Sequence, residues 1–459
     1  MKADWISELI ELLGSCVRTD EETLRAHAGD KWHAAALPQA VVLATETEHV
    51  AAALRFANER GIPVTPRGAG VGYVGGCVPV KGGIVISVAR MTRILEINPA
   101  DGVAVVEAGV LTADLQTACA EFGWFYPPDP ASRKESSIGG NIATNAGGPR
   151  CLKYGVTRAY VLGLIVVLAD GSIMHCGGRT HKNKQGFDLV GLFCGSEGLL
   201  GIVTEATLRI IPAPPARAAL HASFPQFALA AAAVQNTLQG GHLPCAIEIT
   251  DAFTLAAARN HLGPSVLPAG AKGHIIIEID GQEDAVSTEL EAIAHILRNT
   301  GATDIVYART EPEVEAIWQL RREFSYSLKA TGLTKLNEDI VIPRSCLVDL
   351  VSFCESMQQE TGIPIACFGH SGDGNIHTNI MVLKDANGRD IREPADALVN
   401  RLFAWVMAHG GSITGEHGIG IAKSPWFPQA IGNVAMDTHR MLKKALDPNG
   451  ILNPGKMAL

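Results

Sequence analysis

A chain of 459 residues, 47% hydrophobic and 19% charged, is long enough for two or three domains with substantial cores and is neither a disordered nor a repeat protein. The net charge of −9, without any cluster of Lys and Arg, excludes a nucleic-acid-binding surface and leaves small molecules as the expected partners. No segment reaches transmembrane length, the first residues show no signal-peptide pattern, and ten scattered cysteines without a C-x-x-C pair or an iron–sulfur run point to reduced thiols in the cytoplasm.

In chain order, Ala40-Val-Val-Leu-Ala44 reads as a strand. Thr47 is placed to cap a helix that runs to Arg60, Gly61 ends it, and Ile62-Pro-Val-Thr65 is a second strand, giving a β-α-β unit. Next comes Pro66-Arg-Gly-Ala-Gly-Val-Gly-Tyr-Val-Gly-Gly76, whose glycines let backbone N–H groups converge on a pyrophosphate. Gly70-Val-Gly-Tyr-Val-Gly75 also satisfies G-x-G-x-x-G, but a dinucleotide fingerprint needs a helix directly afterwards. The following Cys77-Val-Pro-Val-Lys-Gly-Gly83 cannot start one, so an NAD site is rejected.

A strand at Gly83-Ile-Val-Ile-Ser87 and a hairpin over Ile94 to Glu107 follow. Ser136 to Gly148 has almost no bulky side chains and is expected to press its backbone flat against a planar ligand. Gly195-Ser-Glu-Gly-Leu-Leu-Gly-Ile-Val-Thr-Glu205 is a third glycine-bearing piece that ends in a strand. Three such loops are most economically explained by one long ligand.

Pro212-Ala-Pro-Pro215 marks a boundary. Beyond it, strands over 219–224, 245–250, 274–280 and 304–308 and helices over 226–239 and 284–299 alternate as β-α-β-β-α-β, the ferredoxin-like arrangement. Ile317-Trp-Gln-Leu-Arg-Arg-Glu-Phe-Ser325 is expected on a helix, where the adjacent Arg321 and Arg322 point about 100° apart and only one can face a cleft.

The densest chemistry lies in Phe368-Gly-His-Ser-Gly-Asp-Gly-Asn-Ile-His377 and Thr414-Gly-Glu-His-Gly-Ile-Gly420. His370 and His377 flank a glycine turn that lets them fold back on one another. Glu416 supplies a carboxylate, and together they suit a divalent metal with an open position, zinc first, with manganese or iron as alternatives. His417 is left beside the metal as a base. Cys367 is read as a buried strand residue rather than a fourth ligand.

These motifs, with Lys153-Tyr-Gly155 and the closing Asp447-Pro-Asn-Gly-Ile-Leu-Asn-Pro-Gly-Lys456, resemble the FAD-linked D-2-hydroxyacid dehydrogenases, which include D-lactate dehydrogenases, the catalytic subunit of glycolate oxidase and D-2-hydroxyglutarate dehydrogenases. The resemblance covers nearly the whole chain. It implies an α+β protein: a PCMH-type (p-cresol methylhydroxylase) FAD-binding domain over 1–215, with N-terminal helices in 1–35, and a ferredoxin-like α+β substrate cap over 216–459 whose last ~25 residues return toward the flavin.

Carried over by position, the resemblance assigns Arg67, Gly68, Ala69, Gly70, Val71 and Gly72 to the FAD pyrophosphate. Pro128, Gly139, Gly140, Asn141, Ala143, Thr144, Gly147 and Gly148 go to the flavin and its ribityl chain, Gly201, Ile202 and Val203 to the adenine end, and Asn453 to the ring. Where the family often has Gly-Gly-Thr-Gly, this chain has Ala69-Gly70-Val71-Gly72, and with no histidine in that loop FAD is expected without a covalent bond from it. The family's Trp-x-x-Arg pattern selects Arg321 as the clamp for the substrate carboxylate; Arg322 is left to a surface salt bridge with Glu315 or Glu323.

The implied reaction is metal-assisted oxidation of a D-2-hydroxyacid, His417 taking the hydroxyl proton and C2 giving hydride to the flavin. Electrons then pass to a separate acceptor: a quinone, a cytochrome, an electron-transfer flavoprotein or an iron–sulfur subunit. Lys335-Leu-Asn337 has asparagine where hydroxyglutarate enzymes carry aspartate, so D-lactate or glycolate is favoured. D-2-Hydroxyglutarate and a non-catalytic FAD-binding electron-transfer subunit remain as alternatives. A homodimer and peripheral attachment at the inner membrane face stay open.

Overall fold

The computed structural model describes residues 4–459. They form two compact units: one holds the described residues up to Gly148, then Gly155–Ala213 and Glu416–Leu459, and the other holds Pro149–Tyr154 and Pro214–Gly415. The chain therefore does not divide at a single cut after 215. Everything from Glu416 onward packs within the first unit, and a six-residue piece, Pro149–Tyr154, belongs to the second. Among the described residues no helix is long and apolar enough to cross a membrane.

In the first unit, helix Thr47–Arg60 buries Val50, Ala51, Ala53, Leu54, Phe56 and Ala57, the three-to-four-residue spacing of one apolar face, and Gly61 ends it in the left-handed conformation. Thr47 is not its cap. The N-cap is Glu46, without a side-chain cap bond, and the Thr47 hydroxyl reaches Thr204 Oγ1 instead at 3.0 Å. The expected strands around this helix, Ala40–Leu43 and Val64–Arg67, do not pair directly, because Ile84–Ser87 inserts between them in parallel to both. Its four residues are all buried, as a central parallel strand requires.

A five-stranded antiparallel sheet completes this unit, in the order Ile94–Asn98, Val103–Glu107, Ile202–Arg209, Val161–Val167, Ile173–Gly177. Ser136 to Gly148 departs from the expected flat run: Ile138–Thr144 is a short helix capped by Ser137 and ended by Asn145 at φ 51°. Its small residues serve packing. A Cβ on Gly139 would lie 2.7 Å from Ala108 Cβ, so only glycine lets this helix approach the strand end so closely.

The second unit is one seven-stranded antiparallel sheet, in the order Asp304–Ala308, Ala216–Phe224, Gly273–Gly281, Ala246–Asp251, Ile365–His370, Asn375–Val382, Thr334–Val341. The first four strands reproduce the ferredoxin-like order. The departures are an extra helix, Ala252–Leu262, started by Asp251 accepting from Thr254 N at 2.9 Å, and three further strands that extend the sheet. The extension matters for function, because it sets the His370-bearing strand Ile365–His370 directly beside Ala246–Asp251.

Helix Glu311–Ala330 opens on a capping box between Thr310 and Glu313 and buries Val314, Ile317, Trp318, Phe324, Ser327 and Leu328. Arg321 falls on that buried stripe. Arg322 faces outward and pairs with Glu315.

Candidate active site

In the first unit the loop after strand Val64–Arg67 is shaped by its neighbours. Ser137 Oγ accepts from Ala69 N and from Gly140 N, each at 3.3 Å, and so ties this loop to helix Ile138–Thr144. The backbone N–H groups of Gly70, Val71 and Gly72 find no partner among the described residues, which leaves them available to an anion. The Arg67 guanidinium is occupied elsewhere, donating to Gly29 O at 2.6 Å and Ala26 O at 3.4 Å, so any part it plays at phosphate falls to its backbone.

The other residues assigned to the cofactor separate in the same way. The Asn141 amide donates to Thr112 Oγ1 at 2.6 Å and Thr144 Oγ1 to Gly140 O at 3.2 Å, both inward contacts. Pro128 O accepts from Gln116 at 2.9 Å, and Ala143 O from Glu197 N at 2.8 Å. Gly147 and Gly148 are buried, and Gly201 opens strand Ile202–Arg209 with Ile202 and Val203 at its start.

Asn453, at φ 45°, donates to Gly76 O at 2.9 Å and Glu197 O at 2.8 Å, while its buried Oδ1 has no protein donor. An unsatisfied acceptor of this kind is costly unless a ligand N–H meets it. With the open N–H groups of the first loop, it fits a ligand that combines phosphate with a hydrogen-bonding ring.

Glu197, missed from the sequence, organises this region. Its buried carboxylate accepts from Ile419 N at 2.6 Å and Gly420 N at 2.8 Å. Burial pushes this carboxyl up, and those two N–H groups with Lys423 and Lys456 oppose the rise. Ile421 N then reaches Val74 O at 2.8 Å, so the segment carrying His417 is stitched to the glycine loop. The His417 ring lies 5.1 Å from that of Tyr73.

In the second unit, strands Ile365–His370 and Asn375–Val382 are joined by a four-residue turn in which Gly374 takes φ 88°. The His370 and His377 rings meet edge to face at 5.5 Å. His370 Nδ1 bonds to Glu248, which also receives Arg321 Nε. Burial opposes ionisation of Glu248, but Arg321 and His370 outweigh it and hold the carboxyl down to about 2. A carboxylate on Nδ1 holds the proton there and leaves Nε2 with its lone pair, the orientation a metal-binding histidine needs.

Glu248 was not singled out from the sequence. The available signal was an acid at the centre of the apolar strand Cys245-Ala-Ile-Glu-Ile-Thr250. Asp339 was missed too; it lies opposite His377 in the sheet and accepts from Asn375 Nδ2 at 2.7 Å and Gly415 N at 2.9 Å.

Gly415 thereby delivers Glu416 across one peptide link. His370 and His377 set two imidazoles side by side within the second unit. Two imidazoles and a carboxylate are the donor set of an open divalent site. His417 Nε2 stands 3.9 Å from Glu416 Oε1.

Lys335 is half-buried, donating to Ser325 Oγ at 3.1 Å. Burial, with Lys329 and Arg321 nearby, pulls its pKa down to about 8. Lys153 and Tyr154 play a structural part, binding Asp280 and fixing the Pro149–Tyr154 piece to strand Gly273–Gly281.

Residues 213–457 match the C-terminal domain of FAD linked oxidases, and residues 38–177 match an FAD binding domain. The chain belongs to the FAD-linked oxidases. It is 38% identical over 92% of its length to the glycolate oxidase subunit GlcD of Bacillus subtilis, covering 89% of that protein. It is 34% identical to a D-lactate dehydrogenase of Anaerostipes hadrus, over 92% of this chain and 90% of the relative.

Among solved structures, p-cresol methylhydroxylase superposes with a TM-score of 0.81 at 20% identity, over 99% of this chain and 96% of that one. The 4-ethylphenol oxidase of Gulosibacter chungangensis gives 0.78 at 22% identity, with the same coverage. The fold of this FAD-linked oxidase is the PCMH type, and the protein is an FAD-dependent oxidoreductase.

Proposed function

We propose that this FAD-linked oxidase is a D-2-hydroxyacid dehydrogenase, acting on D-lactate or glycolate, with a divalent ion, zinc first, at His370, His377 and Glu416. The observation that carries this reading is the buried chain Arg321–Glu248–His370, in which one carboxylate orients both a cation for the substrate carboxylate and a metal ligand. When bound, FAD accepts the hydride from C2 and the ion polarises the hydroxyl oxygen.

The chain's own residues do the rest. Arg321 uses Nε on Glu248, and its two terminal NH₂ groups are left to grip the carboxylate. His417 takes the hydroxyl proton. The FAD is held without a covalent bond by the first loop, where backbone N–H groups offer the contacts, and electrons leave to a separate acceptor. The family relatives named a glycolate oxidase subunit and a D-lactate dehydrogenase support the substrate class.

An anaerobic flavin-bleaching screen of the metal-loaded protein against D- and L-2-hydroxyacids tests this. Bleaching by D-lactate or glycolate is expected. No bleaching by glycolate or by any D-2-hydroxyacid sinks the proposal.

A dicarboxylic substrate is the second reading, favoured by Lys335 standing half-buried near Arg321. With burial pulling the Lys335 ammonium down to about 8, binding that depends on its charge should be present below that pH and fade above it. KM for D-2-hydroxyglutarate rising a few-fold between pH 7 and 9, with that for D-lactate flat, would select the dicarboxylic acid.

A further inference from the structure

The glycine loop of the first unit holds one aromatic residue, Tyr73, and an anion nest of backbone N–H groups has no use for it. At 43% exposure it is not a core residue either. Its neighbour Val74 is buried, and the Val74 carbonyl accepts from Ile421 N at 2.8 Å and Ala422 N at 3.1 Å. Gly420 permits this approach: it takes φ 49°, and a Cβ there would fall 2.3 Å from Val74 O. The lacing of the two segments brings Tyr73 against His417, with ring centroids 5.1 Å apart and planes at 31°. Aromatic rings attract at centroid separations of about 4.5–7 Å.

Both partners are pinned through their backbones. Lys31 N donates to Gly72 O at 2.9 Å on one side, and Glu197 holds Ile419 N and Gly420 N on the other. All of these residues belong to the first unit. A pinned backbone still leaves an imidazole its side-chain torsions. A general base works only within hydrogen-bond reach of the proton it takes, and small misplacements lower the rate steeply. A flat ring laid against the imidazole removes the rotations that would carry it away. The Tyr73 side chain meets both His417 and Lys31, whose Nζ is 6.0 Å from the centroid, through its ring.

We propose that Tyr73 is a positioning residue for His417, its ring rather than its hydroxyl keeping the imidazole aimed at the substrate hydroxyl. This rests on the reading of His417 as the base.

Anaerobic rapid mixing of the metal-loaded holoenzyme with D-lactate or glycolate, whichever bleaches the unaltered protein, tests it. Tyr73→Leu should lower the limiting rate of flavin reduction roughly two- to tenfold, the scale of one aromatic pair, while the half-saturating substrate concentration and FAD content stay as they were. Tyr73→Phe keeps the ring and should recover the rate. In a His417→Ala background Tyr73→Leu should have no further effect, because no imidazole is left to position.

A full-rate Tyr73→Leu overturns the inference, as does a Tyr73→Phe as slow as Tyr73→Leu, or a Tyr73→Leu effect that persists in His417→Ala. Full-rate reduction by His417→Ala is a separate failure, which removes His417 as the base and the inference with it. If Tyr73→Leu does not retain FAD, Tyr73→Met is judged by the same outcomes.

Discussion

The two regions proposed to meet the cofactor and the substrate are built from different materials. The loop over Gly68–Gly72 offers backbone N–H groups, held in place by Ser137. The region around His370 is built from buried side chains that depend on one another, Arg321 and His370 sharing Glu248. A backbone site tolerates changes of side chain because its donors belong to every residue. A side-chain relay fails at one substitution, since removing a buried ionic partner strands the charge it balanced.

The largest effect is expected at His417, the proposed base. His417→Ala should lower flavin reduction by about 10²-fold or more while FAD and metal contents hold. If His417 were the ligand and Glu416 the base, the variant would lose its metal and Glu416→Gln would keep it. Rapid-mixing kinetics with metal analysis of both variants separates these outcomes.

Glu248→Gln comes next. It removes the anion that orients His370, and metal affinity should fall about 10- to 100-fold, read by titration against a chelator, with FAD occupancy unchanged. The acid side gives a second readout. Because the Glu248 carboxyl is held at about 2, below its usual 4.5, its stabilising contribution is complete above about 4.5 and is lost as pH falls toward 2. The variant should therefore show a flatter loss of stability with acid than the parent, measured by thermal melts over that range.

Arg321→Lys tests the fork. A lysine keeps the charge but cannot bond Glu248 and a carboxylate in one plane, so kcat/KM should drop about tenfold, mainly through KM. An unchanged KM would remove Arg321 from the substrate. The smallest effect belongs to the backbone region: Val71→Thr adds a hydroxyl where the family often has one, and FAD affinity should change by about 1 kcal/mol or less, a few-fold in Kd. A change of several hundred-fold would mean that side chains rather than N–H groups hold the phosphates.

Much of the first unit was legible because its signals are local. The apolar stripe of Thr47–Arg60 ending at Gly61, and the proline and glycines that forbid a helix after Gly75, act within a few residues of themselves. The small-residue run around Gly139 was misjudged as flat because glycine content signals close approach without saying to what. Here it is to Ala108. Thr47 was misjudged as a cap because its hydroxyl had a distant alternative in Thr204.

The sequence by itself determined the chemistry on offer: glycine-rich loops for an extended ligand, two histidines on either side of a tight turn, a Glu-His pair and an arginine on the inward face of a helix. Tertiary structure decided how these groups are used. Glu248 became the hub of the second unit because sheet pairing sets Ala246–Asp251 beside Ile365–His370, residues more than a hundred positions apart. Glu197 became the anchor of the His417 segment by reaching N–H groups more than two hundred residues away. A buried carboxylate must find its partners wherever the fold places them, and strand order is a global outcome that no local pattern encodes.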